Sequence, residues 1–481
     1  MNLTATKSLD RIKAESEDSE HSLKRTLGPV NLVGLGIGAI IGAGLFSLTG
    51  IAAAENAGPA VVLSFVIAAI GCAFAGMCYS EFSTMIPIAG SAYTYAYATM
   101  GELLAWIIGW DLVLEYAVGA ATVSVSWSSY VVKLFHTLGI ELPASLTNCP
   151  FDMTPGIINL PAVFIILLMS TLLIVGISES AKVNGVIVAI KVVIVIIVIA
   201  VGFGYVNRAN YHPFIPPNTG KFGEFGFSGV MRAAGVVFFA FIGFDAVSTA
   251  AQEARKPQRD MPIGIIGSLA VCTVLYVLFA RVLTGMVSYK IFRGDASPVA
   301  TVIKQFPSQA LQIVIVIGII AGYSSVILVM LLGQSRVFFS MSRDGLLPKV
   351  FSDVHAKFRT PWRCNLIFMV FVSLFSGFLP ISNLGHMTSI GTLLAFVIVC
   401  TGIMVMRRTN PNLPRPYRTP LVPLVPILGI LVCFAMMASL DKDTWIRLVV
   451  WLVIGLTIYF TYSRHHSHLV VKDEAEPVAK R

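Results

Sequence analysis

Charge is what this sequence has least of. Only 12% of its 481 residues are Asp, Glu, Lys or Arg, whereas 56% are hydrophobic and the mean hydropathy is +0.81. A soluble domain carries about twice that share of charge, so lipid is the solvent for most of the chain. A cysteine pattern is missing too. Cys72, Cys78, Cys272, Cys364, Cys400 and Cys433 sit in or beside apolar runs, and only Cys149 falls in an outer-loop position, which excludes a disulfide framework and a metal cluster. There is no Cys/His metal spacing, nucleophile elbow or convergent acid–base pair, so an enzyme is disfavoured and no cofactor is expected. The net charge of +9 does not indicate nucleic acid, because the basic residues collect in loops between apolar spans. Residues 1–26 are polar, with no short apolar core before a small-residue cleavage site. The expectation is that no signal peptide is removed and that the first span directs insertion.

What is present is a series of apolar runs, each close to the roughly 20 helical residues that cross a bilayer with every backbone group satisfied internally. About twelve meet that length, at 30–54, 58–84, 101–134, 157–177, 183–204, 230–252, 262–284, 308–340, 363–380, 385–407, 423–440 and 445–463. They predict an all-α membrane protein. Orientation follows from Lys and Arg, which favour cytoplasmic segments. With the amino terminus inside, the cytoplasmic segments hold Lys7, Arg11, Lys13, Lys24, Arg25, Lys182, Arg255, Lys256, Arg259, the cluster from Arg336 to Arg363, Arg407, Arg408, Arg415, Arg418 and the carboxy-terminal tail. That makes about 23 basic residues inside against about 10 outside. Both tails, 1–26 and 464–481, are therefore expected in the cytoplasm. Prolines at 411, 414, 416, 420, 423 and 426 make 408–422 a stiff cytoplasmic connector. It divides a ten-span unit, 27–407, from two further spans in 423–463.

Two spans are interrupted. The first contains Gly34, Gly36, Gly38, Gly42 and Gly44, and each glycine costs about 1 kcal/mol in a helix relative to alanine. Such a run marks either close packing, as the four-residue spacing of Gly34, Gly38 and Gly42 would allow, or an intended break. A break at mid-membrane would aim the free N–H groups near Ala43 and Gly44 at a carboxylate, and the carbonyls ending the first half at an ammonium group. A dinucleotide fingerprint at Gly34 is excluded by the missing strand and the lipid setting. The sixth span carries the counterpart, with Gly243 and Asp245 inside the apolar run from Val237 to Thr249. Corresponding interruptions five spans apart point to a carrier site at the interface of two repeats, 27–204 and 230–407.

Four ionisable residues inside spans are candidates for function. Lys191 is the sole charge in its span and about 12 Å along the helix from Val183. It is read as a proton-coupling amine, with a snorkelling or structural lysine as the alternative. Asp111 and Glu115 are four apart, on one helix face, with Glu115 the deeper. Either could receive a proton, bind an ammonium group or fix neighbouring helices. Asp245 is read as capping the broken helix or gating it. Phe239, at the second break, is a candidate gate.

The segments Gly38–Phe46, Phe244–Thr249, Gln252–Pro262 and Arg336–Pro348 together resemble the amino acid–polyamine–organocation superfamily, and within it the bacterial cationic amino acid transporter family. The likeness runs from about Leu27 to about Tyr462. It implies the LeuT-like five-plus-five inverted repeat with discontinuous helices 1 and 6. It also implies that Ile40, Ile41, Ala43 and Gly44, with Phe239, Ala240 and Ile242, contact the amino acid backbone through their main chains. Lys191 matches the family lysine that replaces a sodium ion in relatives. Ala43 departs from the pattern, since many members place a hydroxyl residue there.

The reading that results is a proton-coupled amino acid symporter of the plasma (inner) membrane, its partners an L-amino acid, a proton and the bilayer, with a small membrane-protein partner left open. An exchanger uses the same site and differs in whether the empty carrier reorients. A non-transporting sensor is disfavoured by the short tails, and a channel by the lack of a continuous polar path.

Overall fold

Prolines and small polar caps cut the apolar sequence into helices. The computed structural model describes residues 6–7, 27–86, 91–176, 181–249, 251 and 254–468. Among them the elements are helical, apart from one isolated bridge between Leu27 and Ala254. The longer helices are α1 Pro29–Ile40, α2 Val61–Met85, α3 Ser91–Thr99, α4 Glu102–Val113, α5 Gly119–Thr137, α6 Leu160–Val175, α7 Ala181–Phe203, α8 Gly226–Val237, α9 Pro257–Met286, α10 Gln309–Arg343, α11 Trp362–Phe378, α12 Ile381–Thr409, α13 Leu424–Ser439 and α14 Lys442–Ile458. Pro29 and Pro257 open α1 and α9, where their missing N–H would have no helical partner in any case. Asn159, Ser308 and Asp441 cap α6, α10 and α14 by accepting from Ala162, Leu311 and Thr444 N–H. Gly176, left-handed at φ 85°, ends α6. The tail residues 8–26 and 469–481 and the pair Gln252 and Glu253 lie outside the described residues.

Eight helical runs among the described residues are long and apolar enough to cross a membrane. Four shorter apolar helices accompany them: α1, α6, α11 and α13. The windows at 30–54 and 58–84 fall together on α1 and the single run Gly44–Met85, and each of the other ten overlaps one run or shorter helix. The helix surfaces are inverted relative to a soluble protein. On α7 the exposed face is Val186, Ile190, Val193 and Ile196, while the charged Lys191 is 1% exposed among Ile194, Val195 and Val198. A 3.6-residue period puts 191, 195 and 198 on one side, so this helix turns its aliphatic face outward, as lipid requires, and its amine inward. α9 packs along both α1 and α2, and α7 packs against α1, α9 and α10. These contacts bring the glycine-rich first segment to the centre of the bundle.

The two ends of the described chain meet at the same end of the bundle. Lys7 Nζ is 2.7 Å from Asp344 Oδ1, and the Tyr93 hydroxyl donates to Asp344 Oδ2 at 2.8 Å. From the other terminus His468 N–H donates to the Asp344 carbonyl at 3.1 Å, and Ser463 Oγ to the Leu346 carbonyl at 2.6 Å. Buried Glu102 accepts from Tyr97, Tyr459 and Ser467 beside them.

The proline-rich connector is fastened to the helix bundle. Glu81 of α2, with 0% of its side chain exposed, receives a fork from Arg407 (Nε 3.1 Å, Nη2 2.7 Å) and the Thr419 N–H at 2.8 Å. Arg415 Nε stands 3.3 Å away as a further ion contact without hydrogen-bond alignment. Thr419 Oγ1 also donates to the Met77 carbonyl. One buried carboxylate thus straps the connector to α2. Removing one member of such a pair strands the other charges. Glu81→Ala should therefore destabilise the protein by about 3 kcal/mol, the low end for a buried pair because Arg407 is 26% exposed. The check is a lower melting temperature in detergent together with faster tryptic cleavage after Arg418. An unchanged melting temperature and an intact connector would show that the strap carries no load.

Candidate functional site

Both interrupted spans are broken where the glycines predict. α1 ends at Ile40, Ile41 is extended (φ −72°, ψ 106°), and helix resumes through Ala43 into a π turn, Gly44–Leu48. α8 ends at Val237 and tightens into a 3₁₀ turn, Phe238–Phe241. The counterpart of Ile41 in this second break is Ile242, which leaves the helix (φ −59°, ψ 137°) before Gly243 at φ 111°. A short helix, Ala246–Thr249, follows.

The breaks lie across each other. A Cβ on Gly44 would stand 2.2 Å from Ala240 Cα and 2.5 Å from its N, and one on Gly243 would stand 2.9 Å from the Ala39 carbonyl oxygen. Both glycines are required for backbone-to-backbone contact, and Gly243 also for its positive φ. Packing alone does not account for the run. Gly34 has nothing within 4 Å of a Cβ position and Gly42 only an ordinary contact with Val326, whereas Gly36 is pressed on Ser268. The four-residue spacing is therefore not a helix–helix seam. Ile40, Ile41, Ala43, Phe239, Ala240 and Ile242 are all buried around this crossing.

Lys191 reaches the first break from α7. Its Nζ donates to the Gly38 carbonyl at 2.8 Å, and its stem lies on Gly322 of α10, where a Cβ would be 3.0 Å from Cε. The amine points into the protein, which removes the snorkelling alternative. The glycine at 322 makes room for it.

The carboxylates lie on the far side of the second break. Tyr116 donates to Asp245 Oδ2 at 2.9 Å, and Asp245 also lies against the N–H of Ala246 as the helix restarts. Glu115 sits against Asp245 and Thr392. Asp111 faces α12 as well, its Oδ1 3.1 Å from a Cβ position on Gly391, the residue before Thr392. Asp111 and Glu115 thus approach neighbouring residues of α12, with the π turn Leu114–Val118 beginning between them. Asp111, Glu115 and Asp245 are each at most 1% exposed.

Sequence reasoning missed the tyrosines. Tyr130 donates to the Phe46 carbonyl at 2.6 Å, Tyr323 is 3.0 Å from Ser47 Oγ, and Tyr276 lies between the two breaks. A phenol in the middle of an apolar run must find a partner, and that was the available signal.

A methyl group suffices to test the crossing. Overpacking costs ~1–3 kcal/mol, so Gly44→Ala should weaken substrate binding about tenfold or more, while Gly34→Ala leaves it unchanged. Binding to both purified variants in detergent is the check, and equal affinities would separate the crossing from substrate.

The family profile described as Amino acid permease matches residues 27–459. The chain is 44% identical over 464 residues to the methylthioribose transporter of Bacillus subtilis (strain 168), covering 96% of this chain and 98% of that one. It is 46% identical over 462 residues to the branched-chain amino acid permease BcaP of the same organism, covering 96% and 97%. It is 35% identical over 413 residues to human cationic amino acid transporter 4, covering 85% of this chain and 64% of the relative. These relatives are transporters and not enzymes. With two broken helices crossing inside an apolar bundle and the profile spanning nearly its whole length, the chain belongs to the amino acid permease family of the amino acid–polyamine–organocation superfamily.

Proposed function

We propose that the protein crosses the plasma membrane twelve times with both termini cytoplasmic, as two five-helix inverted repeats followed by two helices. In this reading it carries an L-amino acid together with a proton by alternating access. The observation that carries the proposal is the contact of the buried Lys191 amine with the Gly38 carbonyl, two residues before the end of α1. The broken helices offer main-chain N–H groups around Ala43 and Gly44 for a carboxylate, and carbonyls at Ile40 and Ala240 for an ammonium group. A charge-assisted hydrogen bond is roughly twice as strong as a neutral one. Protonated Lys191 therefore holds the first half of the broken helix to α7 and α10, and loss of its proton loosens that half. Substrate binding and the proton then bias the same two-state element. The side chains at the crossing, among them Ile40, Ile41, Phe46, Phe239 and Ile242, are apolar, which favours a neutral aliphatic substrate. The likeness to a branched-chain permease supports that class.

The decisive measurement is uptake of labelled L-leucine into proteoliposomes, acid outside and neutral inside, without sodium. The native protein should concentrate leucine. Lys191→Ala should lose concentration entirely yet keep exchange of leucine across the bilayer, because the proposed substrate contacts come from the two breaks. Response to sodium but not to the pH gradient would overturn the proton assignment, and continued concentration by the variant would make Lys191 structural. If main-chain groups hold the substrate's carboxylate, leucine methyl ester should compete at least about a hundredfold more weakly than leucine, since a buried site built for a polar group rejects the analogue lacking it. Equal competition would move the site elsewhere.

A further inference from the structure

The chain between α10 and α11 closes into a knuckle at 355–362, at the end of the bundle where Lys7 and His468 meet Asp344. His355 N–H donates to the Thr360 carbonyl and Arg359 N–H to the His355 carbonyl, each at 2.9 Å. The His355 ring accepts at Nδ1 from the N–H groups of Lys357 and Phe358, at 3.2 and 3.3 Å, and lies 4.7 Å from the Phe358 ring. Thr360 Oγ1 pins the knuckle to the end of α6 by donating to the Ile174 carbonyl at 2.7 Å. Arg359 is left-handed at φ 57°, a conformation that a residue with a Cβ adopts only under constraint. The turn therefore holds two exposed cations, Lys357 and Arg359, two positions apart on one small loop. Among the described residues neither has a carboxylate partner, whereas Arg363 beside them is paired with Asp353.

The knuckle caps two apolar stripes. α6 and α11 are antiparallel neighbours: Asn159 N–H donates to the Gly377 carbonyl at one end, and a Cβ on Gly176 would stand 3.3 Å from the Phe358 carbonyl oxygen at the other. On α11 Arg363, Leu366, Ile367, Val370 and Leu374 follow the helical period and are all exposed, as are Phe164, Leu167, Leu168 and Val175 on α6. Each stripe is about 16 Å long at 1.5 Å per residue, close to half of the roughly 30 Å hydrocarbon layer. That is one leaflet. Trp362 opens α11 at the knuckle, the residue type that belongs at headgroup level. An anionic head with two alkyl chains matches both parts of this surface. We propose that the knuckle and the α6–α11 face bind a phospholipid of net negative charge, its phosphate held by Lys357 and Arg359 and its chains laid along the two stripes. A guanidinium accepts a phosphate through paired N–H groups, and a zwitterionic headgroup brings a cation of its own to the same place. The site lies on the rim of the bundle, apart from the two breaks.

The test is the melting temperature of the full-length protein in detergent, titrated with phosphatidylglycerol or with phosphatidylcholine of the same acyl chains. Phosphatidylglycerol should raise the midpoint by about 3 °C at saturation, and phosphatidylcholine should not. Lys357→Gln with Arg359→Asn removes both cations, and Asn suits the left-handed position. It should raise the phosphatidylglycerol concentration for half effect about tenfold. Arg408→Gln with Arg418→Gln removes two exposed cations from the helix end and connector at 407–418 and should respond as the native protein does. Equal protection by phosphatidylcholine overturns the proposal, as does a native response in the knuckle variant. An equal loss in the Arg408/Arg418 variant would reduce the effect to general attraction by a basic surface and overturns it too. So does equal protection by sn-glycerol 3-phosphate, a headgroup without chains, which would make the knuckle a site for soluble anions. Should the double knuckle variant not fold, Lys357→Gln alone, which leaves the turn at Arg359 intact, should weaken the response about threefold or more, and an unchanged response would overturn the proposal in the same way.

Discussion

The contact of Gly44 with the main chain of Ala240 leaves no room for a Cβ, and most of what is distinctive about the centre of this protein follows from it. Helices that carry side chains at their contact pack at about 8–10 Å between axes, so a crossing at backbone distance needs glycine there, and here both helices are also broken at the crossing. The breaks make the crossing closer and leave main-chain polar groups inside an apolar bundle, where each must find a partner. Tyr276, Tyr130 and Lys191 are such partners: two hydroxyls and an amine directed at the carbonyls of Ile40, Ala240, Phe46 and Gly38. The polar side chains at the centre are thus answers to the breaks.

The cost of burying these groups explains their asymmetric placement. The buried amine of Lys191 lies at the first break, against a carbonyl, whereas the carboxylates of Glu115 and Asp245 lie beyond the second, around Tyr116 and the restart of the helix at Ala246. A helix ending in free carbonyls favours a cation and a helix start favours an anion, so each charge sits where the interrupted backbone already provides the opposite partial charge. Glycines complete the arrangement by making room: Gly322 under the Lys191 stem and Gly391 beside Asp111.

At the periphery, charge serves to fasten segments. Glu81 gathers Arg407, Arg415 and Thr419 and so ties the proline-rich connector to α2, while Asp344 gathers Lys7 and Tyr93 and lies under the returning chain at His468. Prolines make that connector unable to form a helix, and the buried carboxylate decides where it lies.

Composition and periodicity determined the membrane setting, the helix positions and the two breaks, because each of these is local. An apolar run of span length has one stable solvent, and a glycine cluster or a left-handed residue such as Gly243 declares itself within a few positions. The inward direction of Lys191 was nearly legible too, since a lone charge in an aliphatic helix has no other use for burial. The pairings belong to the tertiary structure. That Gly44 meets Ala240, that Tyr276 spans both breaks, that Glu81 holds residues more than 300 positions away, and that Asp111 and Glu115 meet neighbouring residues of α12 depend on where separate helices arrive. A sequence records which residues need a partner; only the packed bundle, by bringing distant backbone within about 3 Å, decides which partner each one finds.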